Sequence, residues 1–65
     1  MIYLKIKADI DNQWVDVSFR LDDMQFFRKF SDKTMIYLFG GIRFIADETF
    51  ESFTKKIDRL ERLHK

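Results

Sequence analysis

Residues 2–21 read IYLKIKADIDNQWVDVSFRL, and this stretch decides the fold. Ile2, Leu4, Ile6, Ala8 and Ile10 alternate with Tyr3, Lys5, Lys7 and Asp9, a period of two that marks a strand with one buried face. Val15, Val17, Phe19 and Leu21 alternate in the same way with Trp14, Asp16, Ser18 and Arg20. Between the two runs stands Asp11-Asn12, and both residue types tolerate the positive φ that a two-residue hairpin turn requires. That turn fixes the register. Ala8 faces Val15, Ile6 faces Val17, Leu4 faces Phe19 and Ile2 faces Leu21, while on the other side Lys7 meets Asp16, Lys5 meets Ser18 and Tyr3 meets Arg20. A slip of one residue would mix charges into the apolar face, so the pattern selects a single pairing.

Beyond the hairpin, Asp22-Asp23 ends the second strand and can cap a helix, with Gln25 three residues after Asp22. Met24 to Phe30 then reads as a short helix or a pair of turns with Phe26, Phe27 and Phe30 on one side, and Ser31-Asp32-Lys33 as a loop. Thr34 to Ala46 is rich in strand formers and interrupted only by Gly40-Gly41. A tight turn on the glycine pair predicts a second hairpin in which Phe39 faces Ile42, Tyr37 faces Phe44 and Met35 faces Ala46. One long strand kinked by a glycine bulge is the rival reading. In the hairpin both faces are apolar, with Met35, Tyr37, Phe39, Ile42 and Phe44 on one and Ile36, Leu38 and Ile45 on the other.

From about Glu48 onward Phe50, Phe53, Ile57 and Leu60 form one helical stripe, with Asp47 as the expected N-cap. Asp47, Glu48 and Glu51 at its start and Arg59, Arg62 and Lys65 at its end match the helix dipole. The expected fold is therefore α+β, a single domain over residues 1–65. Its four-stranded antiparallel sheet of two hairpins has a short helix between them and a C-terminal helix packed on one face, in the order ββαββα.

Composition narrows the function classes. The chain has 65 residues, 12 basic and 11 acidic side chains and a net charge of +1, so strong whole-molecule attraction to nucleic acid or an anionic membrane is not expected. It has no cysteine, which removes disulfides, thiolate metal sites and thiol nucleophiles, and its one histidine, His64, cannot build a multi-imidazole metal site. No serine, cysteine or carboxylate is spaced to work with His64, so we expect no enzyme, no cofactor, no metal and no small-molecule substrate. Charges interrupt the first strand at every second residue, which is unlike a secretory signal, and Met35 to Ile42 is far too short to span a bilayer. A cytoplasmic location is the expectation.

The decisive quantity is core size. A domain this small buries only ~60% of the surface its unfolded chain exposes, and such chains commonly add disulfides, a metal or oligomerisation. One helix can cover one sheet face, yet the second hairpin is apolar on both. We therefore expect a homodimer, or a docking site for a larger protein, with Phe26, Phe27, Phe30, Tyr37, Phe39 and Phe44 as interface residues. The opposing expectation is that the short helix folds over the second face and closes the core. A binding module of this kind suits a small regulator or phage-type inhibitor of a larger complex.

The alternative class is single-stranded nucleic-acid binding through Tyr3, Lys5, Lys7, Trp14 and Arg20, because bases stack on aromatic rings while cations hold phosphates. Ordinary cross-strand pairing explains the same residues. On the helix, Glu51, Asp58 and Glu61 each stand four residues before Lys55, Arg62 and Lys65, a spacing that favours ion pairs on a solvated face. Asp9, Asp11 and Gln13 echo a calcium loop, but Trp14 occupies the position that needs glycine. The run of glycine, Ile42, an alternating strand and an acidic-starting helix with Phe50, Phe53 and Ile57 is similar to the end of single-strand DNA-binding coactivators. That similarity covers only Gly41 to Leu60 and lacks the basic hairpin such proteins use.

Overall fold

The computed structural model describes residues 2–63. In it β1 (Tyr3–Ile10) and β2 (Gln13–Arg20) form the first hairpin, and a single 3-10 turn, Leu21–Asp23, leads into β3 (Met24–Phe30). Then come β4 (Lys33–Leu38), β5 (Arg43–Ala46) and helix α1 (Phe50–Leu63). The five strands make one antiparallel sheet in the order β2-β1-β5-β4-β3, so β5 joins the two ribbons by pairing with β1 at Ala8–Ala46 and Asp9–Ile45. The first hairpin has the expected register throughout, and Asp11 and Asn12 take φ of 54° and 63° at its turn.

Four expectations need correction. Met24 to Phe30 is a strand, not a short helix, which makes the sheet five-stranded rather than four-stranded. The ladder with β4 jumps between Met24 and Phe26, so a bulge at Gln25 switches the side of every later residue. Phe26 and Phe30 therefore lie on one face and Phe27 on the other, whereas the sequence spacing suggests a single helical side. Ser31-Asp32 is a two-residue turn with Ser31 at φ 55°, and Lys33 already belongs to β4.

The second hairpin is one residue out of the expected register. Tyr37 faces Arg43 and Ile36 faces Phe44. The Leu38 N–H donates to the Ile42 carbonyl at 2.8 Å, which closes a loop of Phe39, Gly40 and Gly41 in place of the two-glycine turn. Phe39 turns its own N–H to the Asp23 carbonyl at 2.9 Å and so leaves the ladder. Both glycines have φ above 80°, a backbone that L side chains rarely adopt. The odd loop length moves Phe44 into the core and Ile45 to the outer face. The helix also starts later than expected: Thr49, not Asp47, caps it, accepting from the Ser52 N–H at 3.1 Å.

The β2–β3 connection sets the shape of the sheet. Arg20 and Met24 are separated by at most ~14 Å of chain, yet four interstrand spacings in a flat sheet come to ~19 Å. The two edge strands can be linked only if the sheet coils, and it encloses the core against α1. That core contains Leu4, Ile6, Ala8, Phe19, Ile36, Leu38, Phe44 and Ala46 from the strands, with Phe53 and Ile57 from the helix. Phe27 meets Phe53 edge-on at 4.9 Å. The one buried polar side chain among the described residues, Thr34, donates to the Glu48 carbonyl at 3.0 Å and fixes the link into the helix. Of the expected helical ion pairs, Asp58–Arg62 forms at 3.1 Å; His64 and Lys65 lie outside the described residues.

Candidate functional site

With α1 on one face, no described element covers the other. Strand pairing lays out this outer face row by row. Trp14, Asp9, Ile45, Met35 and Arg28 form a line across all five strands, because each is the register partner of the next. Beside it run Arg43, Tyr37 and Phe26, and on the other side Lys7 meets Asp16 and Phe30 meets Lys33. Tyr3–Arg20 and Lys5–Ser18 complete the β1–β2 end.

The β3–β4 half is aromatic and tightly organised. Phe26 stacks on Tyr37 with centroids 4.3 Å apart and planes 17° from parallel. Arg28 Nε donates to the Tyr37 hydroxyl at 3.0 Å, and its guanidinium lies 5.6 Å from the Phe30 ring centre. Such contacts each stabilise the ribbon by roughly 0.5–1.5 kcal/mol. Phe26, Phe30 and Phe39 remain 48%, 39% and 61% exposed. At roughly 200 Å² per ring, these three expose about 300 Å² of aromatic surface. That is the scale of the largest apolar patch on a typical monomer, which is often a functional surface.

The expected interface residues thus divide. Phe26, Phe30 and Phe39 are exposed and Tyr37 is half-buried among them, whereas Phe44 is buried in the core and Phe27 packs under α1 against Phe50 and Phe53. Met35 shares the face of Tyr37 as the alternation predicts, whereas sequence reasoning missed Arg28, Arg43 and Ile45 as neighbours of this patch, because it read residues 24–30 as a helix and the glycine loop as two residues long.

All five residues considered for nucleic acid, Tyr3, Lys5, Lys7, Trp14 and Arg20, do share the outer face. Two of them are engaged. Lys7 pairs with Asp16 at 3.1 Å, and Lys33 sits 5.7 Å above the centre of the Trp14 ring. Lys33 is also bound to Asp47, whose hydrogen bond holds the ammonium above its usual pKa. Arg20 Nε is buried without a partner. Among the described residues, no group of three or more histidine or acidic side chains could hold a metal ion, and no helix is long and apolar enough to cross a membrane. No protein-family model, curated protein or solved structure matches the chain.

Proposed function

We propose that the chain is a non-enzymatic protein-binding module that works in the cytoplasm as a homodimer. The supporting observation is the uncovered β3–β4 ribbon, where Phe26, Tyr37 and Phe30 lie on one face with Met35 and Arg28, and the exposed Phe39 stands in the loop that follows β4. Aromatic residues, methionine and arginine are the side chains enriched at protein interfaces, while lysine and acids are depleted there. The dimer supplies the apolar burial that a 65-residue chain without disulfides lacks. Its remaining aromatic surface suits a regulator or inhibitor that docks on a larger protein.

Sedimentation equilibrium across the micromolar range tests the assembly. A concentration-dependent rise to twice the 8.0 kDa chain mass is expected, and a monomer at high micromolar concentration overturns the homodimer. The second reading, single-stranded nucleic-acid binding, draws support from the five aromatic and basic residues sharing the outer face of β1 and β2. Salt-sensitive quenching of Trp14 by a labelled oligonucleotide would favour it.

A further inference from the structure

We infer that two copies join edge to edge through β3, antiparallel about Phe27, to give one continuous ten-stranded sheet. This inference rests on the homodimer reading and supplies its geometry.

The edge itself is the first ground. β3 ends the sheet and pairs only with β4. The two-residue turn at Ser31-Asp32 makes Phe30–Lys33 the closing hydrogen-bonded pair of that hairpin. Backbone groups of Phe30, Arg28 and Phe26 therefore point to β4, and those of Phe27 and Lys29 point off the edge. Protected edges carry proline, bulges or inward-pointing charges, are very short or are covered by another element. β3 has its bulge at Gln25 and carries Arg28 and Lys29, but it has seven residues, no proline and three phenylalanines, and from Phe26 to Phe30 its ladder is regular.

The second ground is self-complementarity. Pairing about Phe27 sets Phe26 of one copy opposite Arg28 of the other, twice over, and Gln25 opposite Lys29. No like charges meet, and the guanidinium gains a second aromatic neighbour. On the helix side the charges also fit. Beside the edge runs a groove lined by Leu21, Met24, Phe27 and Ile57, with Asp22 and Glu61 as its charged groups. Gln25 lines the same groove, so Lys29 of the second copy arrives at its acidic end. Each Lys29 lines a second groove together with Asp32 and Glu51 of its own chain. In the dimer it lies between the acidic groups of its own groove and those of the second copy's. The outer faces of the two copies merge at the same time, and the two Phe26–Tyr37 stacks fall on one surface.

Because the chain has no cysteine, introduced thiols report the register directly. Phe26→Cys and Arg28→Cys proteins are mixed under mild oxidation, with Phe26→Cys alone and Tyr3→Cys alone as controls. Residues 26 and 28 of opposite copies form a non-hydrogen-bonded pair, whose closely spaced side chains suit a disulfide. The mixture should give a cross-linked heterodimer in at least tenfold excess over either control. Lys29→Glu should weaken dimerisation at least tenfold, and adding Glu61→Lys should restore it. If sedimentation shows a dimer while the mixed thiols cross-link no better than the controls, edge pairing is overturned and the homodimer reading stands. A monomer at every concentration removes both.

Discussion

Substituting the two phenylalanines that flank the glycine loop separates the register found here from the one a two-glycine turn would impose. The latter puts Phe39 and Phe44 on one face, but Phe44 is 8% exposed and Phe39 61%. With roughly 200 Å² per ring and ~25 cal/mol per Å², burial stabilises by about 4–5 kcal/mol at Phe44 and about 2 kcal/mol at Phe39. A domain of this length has a total stability of ~3–10 kcal/mol, so an alanine at position 44 risks unfolding it outright. Phe44→Leu is the better probe. It leaves a modest void beside Ile36 and Phe19, whose ring lies 5.7 Å away edge-on, and should cost ~1–2 kcal/mol. Phe39→Leu should stay within ~0.5 kcal/mol of the parent. In urea, with a slope near ~1 kcal/mol per molar, the midpoint falls by ~1–2 M in the first case and hardly moves in the second. Far-UV circular dichroism at low protein concentration follows the transition, and a repeat at tenfold higher concentration separates folding from association. Equal shifts for the two variants would refute the odd-length loop and the core built on it.

Three further outcomes follow from the same geometry. Thr49→Ala removes the oxygen that accepts the Ser52 N–H and should cost ~1 kcal/mol, lowering the thermal midpoint by ~4–8 °C, whereas Asp47→Ala leaves that cap intact. Lys33 has a folded-state pKa above 10.5 because it donates to Asp47, so its contribution is fully present below 10.5 and fades as pH rises through the raised value. The urea-midpoint difference between the parent and Lys33→Met should accordingly be constant at neutral pH and shrink in strong alkali. With oligonucleotides, the protein-binding reading predicts no salt-dependent change in Trp14 fluorescence, because Lys33 already occupies the space over its ring.

The first hairpin was legible residue by residue because two independent signals agree there. Its alternation is unbroken from Ile2 to Ile10, and Asp11-Asn12 accepts the left-handed backbone that the turn needs. The helix was legible from its stripe alone, since Phe53 and Ile57 lie on it and are both buried, whereas its cap is Thr49 and not the expected Asp47. Met24 to Phe30 was not. Phenylalanines stand on both faces of this strand, Phe26 and Phe30 on the outer and Phe27 on the inner, and their spacing imitates a helical face although the backbone is extended. The glycine hairpin failed on a longer-range cause: the Asp23 carbonyl takes the Phe39 N–H. No local pattern reports that bond, which exists only once the β2–β3 corner has formed.

These two displaced elements change the argument about binding more than they change the fold. A four-stranded reading spreads surplus apolar surface over two faces of one hairpin and leaves a short helix free to cover it. In the structure that helix is a strand, so no described element remains to cover the outer face, and the strand brings a free edge with it. At the same time the odd loop puts Phe44 in the core against Phe19, and Phe27 packs under the helix against Phe53. The exposed aromatic surface is thus smaller than the sequence suggests, but it is gathered beside a single open backbone. An apolar patch alone attracts many partners weakly; one bordering unpaired N–H and C=O groups favours a partner that arrives as a strand. The β3 segment of a second copy is such a strand, and its Arg28 and Lys29 carry the charges that this edge can accept.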